Sequence, residues 1–223
     1  MSDDDVSYSA SLPGFNLFSV TRQRSLRAPR NSGGISVYVR NGIDVSICLR
    51  ARTHIWLKIF SGSPNEMLLC VMYIPPENSP YADKTIFETI QNEIADINAT
   101  YGECQIIITG DLNARTGIAE DSLPNTTVHG ESYINDQNPD IFVQRFSCDK
   151  EINTYGRSLL NMCKITSLKI LNGRCGADRG LGKFTSIHPH GSSVVDYVIS
   201  TSVLTKKLIH SLLWIDQSRT ICP

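Results

Sequence analysis

No run of apolar residues in this chain approaches the roughly 20 needed to cross a bilayer, and no apolar h-region follows the acidic start Met1-Ser-Asp-Asp-Asp. Neither a membrane span nor a secretory leader is read, so an intracellular location, nuclear or cytoplasmic, is expected. Seven cysteines form no Cys-x-x-Cys pair, and the odd count argues against a disulfide framework as much as against a zinc site. An excess of charge of either sign is missing too. With a formal net charge of -1, nothing draws the whole molecule to nucleic acid, and any such binding has to come from a local patch. A Walker loop is also lacking. Four glycines from Gly173 to Gly182 precede Lys183, but their spacing is wrong and Phe184 stands where a Ser or Thr is required.

What is present suits one large α/β domain. A chain of 223 residues with 41% hydrophobic and 19% charged side chains can bury a sizeable core and shows no disorder signature. Residues 15–20 read as an edge strand. Arg22, Arg24, Arg27 and Arg30 then crowd into a loop that forms the one basic cluster of the sequence. Residues 35–39 and 43–49 alternate apolar and polar around Asn41-Gly42, a hairpin signal. Residues 54–60 and 67–74 read as a second antiparallel pair. Between 82 and 101, Ile86, Phe87, Ile90, Ile94 and Ile97 recur at helical spacing. Residues 118–155 are polar, with Pro, Asn and Asp throughout, and read as a long surface excursion. A short helix around Leu159, Leu160 and Cys163 and strands at 168–172, 183–187 and 192–200 complete the pattern.

The chemistry concentrates at 105–117. Ile106, Ile107 and Ile108 form an unalternating β-branched run suited to a strand buried on both faces. Gly110 ends it. Asp111 and Asn113, two residues apart on a chain still extended, are expected to project to one side. A carboxylate beside a carboxamide suits phosphoryl transfer, the first holding a metal or orienting water and the second donating to phosphate oxygens. The strand–helix–strand order also places Asp111 at a strand's carboxyl end, where α/β proteins bind ligands.

Gly-Asp-Leu-Asn-Ala-Arg-Thr-Gly at 110–117 resembles the Asp-x-Asn motif of the endonuclease/exonuclease/phosphatase superfamily, in its LINE-type retrotransposon endonuclease branch. Ser-Gly-Gly-Ile-Ser-Val-Tyr-Val-Arg at 32–40, Tyr-Ile-Pro-Pro at 73–76 and Ser-Val-Val-Asp-Tyr-Val-Ile at 193–199 match in the same order. Arg-Phe-Ser-Cys-Asp at 145–149 and Asn-Thr-Tyr-Gly-Arg-Ser-Leu-Leu at 153–160 also look like that branch. The resemblance implies a four-layer α/β sandwich, two mixed sheets flanked by helices in the DNase I-like manner, that hydrolyses DNA phosphodiesters with Mg²⁺. It assigns catalysis to Asp111, Asn113, Tyr73 and Asp196, the last orienting a catalytic histidine, and substrate contacts to Ser193 and Arg115. A reverse transcriptase encoded downstream is the partner it implies beside DNA.

The sequence departs from the family at both ends. The strand with a catalytic Asn, the metal-holding Glu in its Gln-Glu-Thr setting and the closing Ser-Asp-His triplet are not found, and Asp3 to Asp5, His210 and Asp216 lack the right neighbours. No residue here is therefore assigned as the metal's principal ligand. The expectation is a partial domain at 32–215, between an Arg-rich segment at 1–31 and a tail at 216–223, with weak or no activity. The alternative is a non-catalytic remnant or interaction module of the same fold.

Overall fold

The computed structural model describes residues 11–21, 34–64, 66–102, 104–123, 144–201 and 204. The chain is α/β, and its centre is a mixed six-stranded sheet. Strands β1 (Phe15–Thr21) and β2 (Gly34–Arg40) pair antiparallel as a separate two-stranded sheet. The large sheet is built from β3 (Val45–Arg50), β4 (His54–Ile59), β5 (Met67–Tyr73) and, after helix α1 (Ile86–Tyr101), β6 (Ile106–Asp111). After helix α2 (Thr154–Thr166) come β7 (Lys169–Ile170), the small hairpin of β8 (Ser186–His188) with β9 (Gly191–Ser193), and β10 (Asp196–Ser200). The order across the large sheet is β3-β4-β5-β6-β10-β7, with β5 and β6 parallel and the other neighbours antiparallel.

Two apolar clusters fix the layers. On one face, Ile86, Phe87, Ile90 and Ile94 of α1 and Tyr155, Leu159, Leu160, Met162 and Cys163 of α2 bury against Trp56, Leu68, Cys70, Met72, Ile106 and Ile108. The Phe87 and Tyr155 rings meet edge to face, centroids 5.9 Å apart, which locks one helix to the other. Glu93 of α1 accepts from Trp56 Nε1 at 2.8 Å and from His54 Nε2, so this face also has a polar clamp to β4. On the opposite face, Val20 and Ile35 of the two-stranded sheet bury against Ile55 and Leu57 of β4. The described layers are thus helices, large sheet and small sheet. No helix of the described residues is long and apolar enough to cross a membrane.

Three local expectations need correction. Asn41-Gly42 does make a turn, with Gly42 at φ 89 and Ile43 N bonded to Arg40 O, but β2 and β3 are not a hairpin. They lie in different sheets, because Ile35 buries against the face of the large sheet while β3 pairs with β4. Such corners let a chain switch sheets. The strand expected at 192–200 is broken at Val194 and Val195 into β9 and β10, which also belong to different sheets. Within the long polar excursion, 124–143 lies outside the described residues, as does the Arg22–Arg30 cluster. Helix α2 takes the last two residues of the excursion, Thr154 and Tyr155, together with the short helix expected after it, and is 13 residues long.

Candidate active site

Register brings three of the expected residues into one row. Tyr73 at the end of β5 pairs with Asp111 at the end of β6, and Asp111 pairs with Asp196 at the start of β10. Side chains directly opposite on paired strands share a face. That face is the one opposite the helices: Tyr73 packs with Leu69 and Val71 of its own strand against the Ile55 and Leu57 cluster. The close approach of β5 and β6 just before the row depends on glycine. A Cβ on Gly110, at φ 138, would lie 1.9 Å from Met72 O.

The electrostatics of the row are set by what surrounds Asp111. Burial raises its carboxyl above the usual range; a hydrogen bond from Asn113 N to Oδ1, 3.0 Å long, partly offsets this, and the nearby charge of Asp196 pushes it up further. The charge of Asp196 therefore adds to burial in disfavouring the ionisation of Asp111. Asn113 reaches its place by a different route from the extended one expected. Strand β6 ends at Asp111, Leu112 buries, and Asn113 takes φ 46, a left-handed conformation that asparagine tolerates. Its Nδ2 then donates to Ile74 O at 2.8 Å, tying the motif loop to the turn after Tyr73. One amide hydrogen remains for other work.

Arg115 stands apart from the row. Nε and Nη2 make a bidentate pair with Asp149 at 2.8 and 2.7 Å, and Nη1 bonds Glu151. Three of its five N–H donors are thus held by the protein. Ser193 ends β9, three residues before Asp196, and its carbonyl accepts from Thr185 N at 3.0 Å. His188, on the exposed β8–β9 hairpin, bonds Ser186 Oγ at 3.0 Å.

Hydrogen bonds of Asn153, Glu77 and Thr116, none of them expected from the sequence, hold these parts together. Asn153 caps α2 by accepting from Gly156 N at 2.7 Å and from Arg115 N at 2.8 Å, and its Nδ2 donates to Asn113 O. Glu77, four residues beyond Tyr73, accepts from Tyr155 N at the same helix start, where a carboxylate is favoured. Gly156 admits the motif loop, since a Cβ there would lie 1.7 Å from Arg115 O. Thr116 Oγ1 lies 3.1 Å from Tyr197 Oη and accepts from Arg145 Nη1, which joins the motif to the strand of Asp196. The cap signal of Asn153 before an apolar helical run was present in the sequence. Its partners, 38 to 40 residues away, were not.

No family model and no curated protein matches the chain. The solved structures it resembles include the endonuclease/exonuclease/phosphatase class: a family protein from Bacteroides thetaiotaomicron aligns at TM-score 0.47 and 12% identity over 85% of this chain and 60% of its own. The human Nocturnin catalytic domain aligns at TM-score 0.47 and 12% identity, over 85% of this chain and 61% of that domain. A mannosyl-6-phosphatase of the same bacterium aligns at 0.47 and 11%, over 86% and 64%. The chain spans about three fifths of the length of each. At that identity no residue's role carries across.

Proposed function

We propose that the chain hydrolyses phosphodiester bonds of DNA with the help of Mg²⁺, as the endonuclease domain of a LINE-type retrotransposon. The observation that carries this reading is the row of Tyr73, Asp111 and Asp196 at one end of the sheet. Asp111 is the residue to take a proton from the attacking water. Its carboxyl is raised by burial and by Asp196, which makes it a stronger base than an ordinary exposed aspartate. Tyr73, at the far end of the row, and the remaining amide hydrogen of Asn113 donate to the phosphate oxygens. Asp196 places a second carboxylate beside Asp111.

Among the described residues no cation stands beside the two carboxylates, which by themselves repel a phosphodiester, and the motif's own arginine is held by Asp149 and Glu151. A hard divalent ion resolves that conflict. Among the described residues no three His, Cys, Asp or Glu side chains converge as a metal site. Mg²⁺ can bind through as few as one carboxylate, its waters and the substrate's phosphate, and Asp196 would hold it there, beside Asp111. When bound it supplies charge neutralisation and polarises the phosphoryl group.

The engagement of Arg115 and of one Asn113 amide hydrogen by protein groups favours a second reading, a non-catalytic module whose loop is built for its own rigidity. Purified protein incubated with supercoiled plasmid in Mg²⁺ or in EDTA separates the two. Nicking that requires Mg²⁺ supports hydrolysis, and intact plasmid in both arms supports the module.

A further inference from the structure

The row sits where the sheet stops. Asp111 and Asp196 are its last paired residues, and the bond from Leu112 N to Val195 O is the final rung between the two strands. Past that rung one chain leaves through Asn113 and Arg115, the other through Val194 and Ser193. Strand ends with no further rung fray, so something has to hold both exits if the two carboxylates are to keep a fixed separation.

Asp149 touches both. It is 2% exposed and carries four hydrogen bonds: Oδ2 accepts from Arg115 Nε and from Val194 N at 2.8 and 3.1 Å, and Oδ1 from Arg115 Nη2 and Glu151 N at 2.7 and 3.0 Å. Arg115 lies two residues beyond Asn113, and Val194 two residues before Asp196. A single carboxylate thus bridges the loop that follows one acid of the row to the loop that precedes the other. Bidentate Arg–carboxylate pairs fix angle as well as distance, so the bridge is stiff on the Arg115 side. On the other side Thr185 Oγ1 accepts from Val195 N and Asp196 N at 3.0 and 3.1 Å, holding the backbone next to the Val194 bond.

We infer that Asp149 is a positioning residue for the row, setting the separation of Asp111 and Asp196 through Arg115 and Val194 without touching the substrate. The inference deepens the hydrolytic reading and rests on it for its kinetic consequence, while its structural part stands independently. A small misplacement of reacting groups can cost on the order of 10²-fold in rate.

The test is Asp149→Asn, which keeps the side chain's size but loses the charge and one acceptor oxygen. Glu151→Gln, on the exposed arm of the same Arg115, serves as control. In the full chain we expect Asp149→Asn to lower kcat for Mg²⁺-dependent cleavage by about tenfold or more, with KM within about twofold, and Glu151→Gln to leave both unchanged. Amide hydrogen exchange, which needs no turnover, is expected to show the Leu112 amide, donor of the final rung, losing protection in Asp149→Asn. Folded Asp149→Asn with wild-type kcat and wild-type protection at Leu112 overturns the inference. If that variant does not fold, Arg115→Lys, which keeps the charge but not the fork, is read by the same two measurements against the same outcomes. If wild type itself does not cleave, the hydrolytic reading fails, and the protection of the Leu112 amide alone decides whether Asp149 positions the row.

Discussion

Among the described residues, the three aspartates whose carboxyls leave the usual range fall into two groups that differ in what faces them. Asp121 and Asp149 are buried against arginines. Asp121 pairs bidentately with Arg174 and accepts from Ile170 N, Asp149 pairs with Arg115, and in both the partners outweigh burial and hold the carboxyl below its usual range. Asp111 is half-buried, which raises its carboxyl, and among the described residues it faces no cation but another aspartate, which raises it further. The paired acids stabilise the fold. Asp111 works against it. Under the proposed hydrolytic role, the row would be where stability is given up for chemistry.

The contrast breaks most severely at Asp121. Asp121→Ala leaves Arg174, itself 2% exposed, charged and buried with its bond to Ile170 O but without the Asp121 carboxylate. Removing one side of a buried pair typically costs about 3–5 kcal/mol, and urea unfolding should show a loss of that size. A loss below about 1 kcal/mol would mean that the pair is not buried as described.

Acid should separate the two groups next. The folded carboxyls of Asp121 and Asp149 lie below their unfolded value, about 3.9, so their contribution is present above that pH and is lost as pH falls through the folded values. Asp111 has the opposite sign: its contribution is present below the unfolded value and disappears as pH rises through the raised folded one. Thermal melts should therefore show stability falling steeply below about pH 4. The fall should be shallower in Asp149→Asn, and a variant as steep as wild type would contradict the assignment.

The smallest effect is expected at Asp111. Asn is neutral and can still accept from Asn113 N, so Asp111→Asn should leave stability at pH 7 unchanged or raise it, within about 0.5 kcal/mol. A clear destabilisation would show that the ionised carboxylate is favoured by its surroundings, contrary to the account.

How much of this was legible in the sequence follows from the range of the interactions. Periodicity found α1 because Ile86, Phe87, Ile90 and Ile94 share one buried face, and it found the buried strand at Ile106 and Ile108. Local signals located the turn at Gly42 but not the partner of the strand beyond it, since pairing depends on which face of which sheet must be covered. The row itself was named residue by residue from motifs, yet its geometry came from register between strands. Asn113 was placed on the correct loop for an incorrect reason, as the chain leaves the extended form at Asp111. Asp149 read only as part of a motif, because its bonds reach 34 and 45 residues along the chain.

The central claim is that the row hydrolyses phosphodiesters through the charge of Asp111. It is tested most directly by the single-turnover cleavage rate of a short DNA duplex at saturating Mg²⁺, wild type beside Asp111→Asn. Removal of a positioned base costs about 10²- to 10⁴-fold, so the account predicts a rate at least about 10²-fold lower in the variant, with its melt unchanged. Equal rates in the two proteins, or no cleavage by wild type, would contradict it.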